Sequence, residues 1–207
     1  MSKLIAVVGS TGVGKTTLVN ALCKAGPFVP GLEEHDGRPF QQQFKTDTRF
    51  ALANQVDYLL LRAEQEETLR RGSTIGITDG GMDMDFYGFT HLFHTRGWLS
   101  DSEFGLCERL YRFLRRVLPP PELVIQLQAD PALVNQRLTG RERINIAGAE
   151  DVFLLDSYMD TWVDSIQPQR LMRLLVSEDD PGFGRLAPML AAQLLDRLEK
   201  GTDQNAN

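Results

Sequence analysis

Near the start of the chain, Gly9-Ser10-Thr11-Gly12-Val13-Gly14-Lys15-Thr16 has the residue types and the spacing to hold a polyphosphate, G-x-x-x-x-G-K-[ST]. Its glycines let backbone N–H groups turn inward around an anion, and a helix that follows adds the partial positive charge of its N-terminus. Lys15 is placed to reach the β- and γ-phosphates, and the Thr16 hydroxyl to ligate Mg²⁺. Gly9 to Thr17 are thus the candidate donor-binding residues, for ATP or another nucleoside triphosphate. The flanks suit the motif. Leu4-Ile5-Ala6-Val7-Val8 reads as a buried strand, and the stretch after Thr16 has no Gly or Pro before Gly26 and reads as a helix.

Other polar clusters follow. Glu33 and Glu34 lie in a loop rich in Gly and Pro. Gln55, Tyr58 and Arg62 are three and four residues apart in a helical pattern, so they share one helix face. Asp79 and Asp85 frame Gly80-Gly81-Met82-Asp83-Met84. Arg137, Arg141 and Arg143 crowd one glycine-containing segment, where guanidiniums could neutralise phosphate charge. Smaller signals carry less. His91 and His94 lack a third ligand nearby, and Phe86, Tyr87, Phe89 and Phe93 read as packing rather than as a stacking platform. Asn54–Asp57 and Asp85–Gly88 resemble the GTPase motifs N-K-x-D and D-x-x-G only superficially, because the lysine is missing and the order is reversed.

The elements that must position these residues alternate in type. A strand over 4–8 and a helix over about 16–25 end at Gly26-Pro27. The stretch 30–39 reads as loop, and 44–71 as one long helix. A second strand is expected over 73–79, helical pattern over 86–93 and 100–118, and a third strand over 123–127. Asp130-Pro131 opens a helix to about 138, followed by an arginine-bearing loop over 140–148 and a helix over 151–167. A fourth strand over 171–176 and a helix over 186–200 close the pattern. Strands alternating with helices imply an α/β fold, a parallel sheet covered by helices on both faces. At 207 residues the chain suits one domain, expected over 1–200 with a disordered polar tail over 201–207. The net charge of −6 argues against general nucleic-acid binding. Cys23 and Cys107 fit no metal spacing and read as buried reduced thiols. No apolar run approaches membrane-spanning length and no signal-peptide pattern is present, so the expected location is cytoplasmic.

Taken in order, these pieces resemble the deoxynucleoside kinase family over nearly the whole chain. Glu33-Glu34-His35-Asp36-Gly37-Arg38-Pro39-Phe40 is similar to the family segment E-P-x-x-x-N-P-F, and Gln55-Val56-Asp57-Tyr58-Leu59-Leu60-Leu61-Arg62 to Q-x-x-F-L-x-x-R. The resemblance implies a P-loop kinase with an arginine-rich lid at about 137–150. It makes Glu33 the general base for the substrate 5′-hydroxyl, with Glu34 as the neighbouring alternative. Gln55 reads the base, Arg62 pairs with Asp85 beside it, and Tyr58 lies beside the sugar or base. Arg137, Arg141 and Arg143 close over the phosphates, and Asp79 joins Thr16 at Mg²⁺.

Two positions depart from the family pattern. The arginine of its D/E-R-S motif is Gly80 here, with Arg38 or Arg143 as possible substitutes. The lid glutamate that meets the sugar 3′-hydroxyl falls at Ile146, which leaves Glu150 as the candidate. The expected activity is transfer of the ATP γ-phosphate to a deoxynucleoside, deoxyadenosine or deoxyguanosine favoured, by a homodimer that needs neither nucleic acid nor membrane. A monophosphate kinase of thymidylate-kinase type and a nucleotide-binding regulatory protein are the alternatives.

Overall fold

The computed structural model describes residues 1–32, 38–130, 134, 149–176 and 179–203, without the side chains of 149, 150, 152 and 201–203. Five parallel strands form one sheet: β1 (Leu4–Val8), β2 (Phe28–Gly31), β3 (Ile75–Asp79), β4 (Leu123–Gln128) and β5 (Leu171–Leu175), in the order β2-β3-β1-β4-β5. β1 is central and wholly buried, as its unbroken apolar run predicts. The chain leaves β1 for β2 and β3 on one side and later returns to β4 on the other. The carboxyl end of β1 is therefore the crevice where the strand order reverses, the usual ligand site of such sheets.

Helices cover both faces. α1 (Lys15–Ala25) and α8 (Leu186–Asp203) bury Leu18, Val19, Leu22, Leu190 and Leu194 against Ile5, Val7, Ile77 and Ile125. On the other face α7 (Ala149–Asp164) packs Met159, Trp162 and Val163 on Ala6, Val8 and Val124. A second apolar cluster joins α2 (Pro39–Thr46), α3 (Ala51–Arg71) and α6 (Asp101–Val117) through Phe44, Leu59, Phe86, Phe93, Cys107 and Tyr111. Between β3 and α6 the chain runs through the short α4 (Met82–Met84), a π-turn (Asp85–Thr90) and α5 (His91–Thr95).

Four differences from the sequence reading have simple causes. β2 was not expected and overlaps the start of the expected loop at Pro30 and Gly31; it is four residues long, and an edge strand tolerates its Pro30. The expected helix over 44–71 breaks at Asp47, whose extended backbone and carboxylate cap a short 3₁₀ turn, Thr48–Phe50, by accepting from the Arg49 N–H at 3.0 Å. The helical stretch around 86–93 contains a π-turn. The last helix continues to Asp203, three residues into the expected polar tail; 204–207 lie outside the described residues. Cys107 is buried and Cys23 half-buried, and burial pushes the Cys107 thiol up to about 11. No described helix is long and apolar enough to cross a membrane.

Candidate active site

The loop after β1 carries the phosphate-binding pattern as expected. At Gly9 the backbone passes so close to β4 that a Cβ would lie 2.4 Å from the Leu127 carbonyl oxygen, which excludes any other residue. Lys15 folds into the loop, its Nζ donating to the carbonyls of Gly9 at 2.9 Å and Ser10 at 3.0 Å. Thr16, in the first turn of α1, donates its hydroxyl to Asp79 at the end of β3. A hydroxyl and a carboxylate meeting at the mouth of a phosphate loop are hard oxygen donors of the kind Mg²⁺ takes. An open groove of about 930 Å³ runs from Thr16 and Thr17 along α1, facing Gly182, Gly184 and Pro188.

The second half of the site rests on α3. Gln55, Tyr58 and Arg62 are all buried on one face, as their spacing predicts. Arg62 is 1% exposed and its Nε donates to Asp85 at 2.7 Å, the two side chains the resemblance pairs. Its Nη1 donates to Gln65 Oε1 at 3.3 Å, and Gln65 in turn holds the Leu32 carbonyl at 2.6 Å. The Tyr58 hydroxyl accepts from Gln41 at 2.6 Å, and the Arg38 guanidinium sits 5.2 Å above the Tyr58 ring while binding Asp57 at 2.7 Å. Thr90 donates to Gln55 Oε1 at 2.9 Å.

The π-turn explains how Asp85 and Thr90 reach the same helix. Five residues apart in an α-helix, they would point about 140° away from each other. The extra residue in a π-turn brings them towards one side. Asp85 then meets Arg62 and Thr90 meets Gln55, which lie two turns apart on α3.

Some polar contacts around the site could not be read from the sequence. Asp156 on α7 accepts from Ser10 Oγ at 2.5 Å. These two residues wall a cavity of about 20 Å³, room for about one water, together with Met84, Phe89 and Met159. Burial raises the Asp156 pKa above its ordinary value, and Asp160 adds to this, while the Ser10 hydrogen bond and Lys15 oppose it. Asn54, beside Gln55, has a buried Oδ1 with no hydrogen-bond partner among the described residues. Arg115 of α6 donates to Asp83 at 2.7 and 2.8 Å and to Glu66 at 2.7 and 2.9 Å, and Tyr111 adds its hydroxyl to Asp83 at 2.7 Å. This buried cluster ties α4 to α3 and α6. The side chains involved are scattered in sequence with no motif spacing, so no local signal announces them.

Phe86 stacks on Tyr111 at 4.2 Å and Phe93 on Phe44 at 4.5 Å, both as packing. His91 is half-buried against Phe86 and Phe104, and His94 bonds Asp101 at 2.9 Å. Glu33, Glu34, Arg137, Arg141, Arg143 and Ile146 lie outside the described residues, as does the side chain of Glu150.

A phosphate loop at the switch point of a parallel sheet is the architecture of a P-loop nucleotide-binding fold. The family model for deoxynucleoside kinases matches residues 5–179, and the chain belongs to that family of nucleoside phosphotransferases. The chain is 26% identical over 145 residues to a deoxyadenosine/deoxycytidine kinase of Bacillus subtilis (strain 168), covering 69% of this chain and 67% of that one. It is 30% identical over 142 residues to a probable thymidylate kinase of Pyrobaculum calidifontis, covering 68% and 71%. Among solved structures, a deoxyadenosine kinase from M. mycoides with bound dCTP superposes with a TM-score of 0.74 at 16% identity, over 93% of this chain and 99% of that one.

Proposed function

We propose that this protein transfers the γ-phosphate of ATP to the 5′-hydroxyl of a deoxynucleoside, with deoxyadenosine as the first candidate. The observation that carries the reading is the buried Gln55, Arg62 and Asp85 set beside the P-loop: an amide able to read a base edge, backed by a neutralised ion pair. Lys15 exchanges the loop carbonyls it now holds for phosphate oxygens. The Thr16 hydroxyl and the Asp79 carboxylate hold Mg²⁺, which supplies charge neutralisation to the phosphates when bound. The groove along α1 takes the donor nucleoside. Glu33 acts as general base, Tyr58 lies beside the sugar or base, Glu150 meets the sugar, and Arg137, Arg141 and Arg143 close the lid. Catalysis then consists of positioning and charge neutralisation.

The finer substrate choice is supported by the likeness to a deoxyadenosine/deoxycytidine kinase. Adenine and cytosine share an edge, an exocyclic amino group beside an unprotonated ring nitrogen, and one amide serves both. The homodimer is supported by an exposed apolar stripe on α6, Leu106, Phe113 and Val117. The expected location is the cytoplasm.

The likeness to a probable thymidylate kinase favours a second reading, a monophosphate kinase. That chemistry needs a cation for the acceptor's own phosphate. Arg38, a cation at the start of α2, is already engaged by Asp57 and Tyr58.

The test is ADP release with Mg²⁺-ATP against the four deoxynucleosides and thymidylate, for the parent, Glu33→Gln and Gln55→Ala. Turnover of deoxyadenosine, lost in Glu33→Gln and raised in KM about tenfold or more by Gln55→Ala, supports the proposal. Turnover of thymidylate alone overturns it in favour of the second reading. Nucleotide binding without any turnover overturns it in favour of a regulatory role.

A further inference from the structure

A glutamine amide that reads a base edge must be kept one way round. Oxygen and NH₂ exchange places when it flips, and an amino base then becomes indistinguishable from its oxo analogue. Thr90 supplies the missing constraint. Its side chain is wholly buried, and its hydroxyl donates to Gln55 Oε1 at 2.9 Å. Among the described residues the other acceptor within its reach is the Asp85 carbonyl, at 3.2 Å across the π-turn. A flipped amide would aim an N–H at Thr90. The hydroxyl would then have to give its single proton to that more distant carbonyl.

We infer that Thr90 is a positioning residue that sets base specificity. By donating to Gln55 Oε1 it holds the amide in one orientation and selects bases with an amidine edge, such as adenine and cytosine, over oxo bases in which donor and acceptor are exchanged. The inference rests on the reading of Gln55 as the base reader. The π-turn is part of the device, because it brings Thr90 to Gln55 while Asp85 holds Arg62.

The test compares kcat/KM within two pairs of nearly identical shape, deoxyadenosine with deoxyinosine and deoxycytidine with deoxyuridine. The parent is run beside Thr90→Val, which removes the hydroxyl, Thr90→Ser, which keeps it, and Gln55→Ala. Thermal melts confirm folding, and Thr90→Ala replaces the valine variant if that one does not fold. The parent is expected to favour the amino member of each pair. Thr90→Val should reduce that preference about tenfold, the equivalent of one hydrogen bond, while Thr90→Ser stays within about threefold of the parent. Damage to packing would lower both members of a pair alike and leave the ratio unmoved.

An unchanged ratio in the valine variant, with the ratio abolished in Gln55→Ala, overturns the role of Thr90 and leaves Gln55 standing. A parent that uses both members equally also overturns the role of Thr90. A ratio unaffected by Gln55→Ala, or no turnover of any deoxynucleoside, overturns the underlying reading and this inference with it.

Discussion

Position 80 shows that a departure from a family pattern is built into the local backbone. Gly80 has φ of +83°, its N–H donates to the Val7 carbonyl at 2.8 Å, and a Cβ there would lie 3.2 Å from Arg62 Nη2. Gly80→Arg is therefore expected to lower stability by about 1–2 kcal/mol without raising kcat, since left-handed backbone disfavours side chains. Urea unfolding and steady-state kinetics check both halves. Asp156 makes a second prediction at this scale. Its raised pKa means that the folded protein holds this proton more tightly than the unfolded chain does. Its contribution to stability is full below the ordinary Asp value of about 4 and is lost as pH rises through the raised value. Asp156→Asn keeps an acceptor for Ser10 and should raise Tm at pH 7, with the gain over the parent closing towards pH ~4. Melts across that range decide it; a gain that grows on acidification contradicts the assignment.

Among the elements, α4 and the π-turn are short, and neighbours hold them in place. Arg115 carries two buried carboxylates, Asp83 from α4 and Glu66 from α3. Burial penalises its charge, but the two carboxylates outweigh this and raise its pKa. Arg115→Met strands both carboxylates and is expected to cost about 3–5 kcal/mol in urea unfolding, with an unchanged m-value. Because α4 leads directly into Asp85, the same variant should weaken nucleoside binding more than nucleotide binding, read by calorimetry with each ligand. The helix face of Gln55, Tyr58 and Arg62 was legible in the sequence because i, i+3 and i+4 spacing is a local signal. The Arg115 cluster was not, because its members come from three separate elements.

For the whole molecule, the sheet order brings the P-loop, Asp79 and the turn after β3 together at the carboxyl end of β1. The exposed apolar stripe on α6 is the surface proposed to pair two copies of the chain. Phe113→Asp is expected to yield a monomer by analytical ultracentrifugation, with the fold retained by circular dichroism, because a charge in an apolar interface is left unpaired. A parent that is already monomeric would remove the reason for the stripe.

The sequence alone determined the nucleotide loop, the alternation of strands and helices, and the polar face of α3, since each rests on short-range spacing or on the conformational freedom of glycine. It also placed Asp85 opposite Arg62 through family resemblance. Tertiary structure decided the edge strand β2, the π-turn, the Thr90–Gln55 bond, the contact between Ser10 and Asp156 and the buried Arg115 cluster. Each of these depends on groups distant in sequence that meet only after the chain has packed, and no local pattern encodes such a meeting.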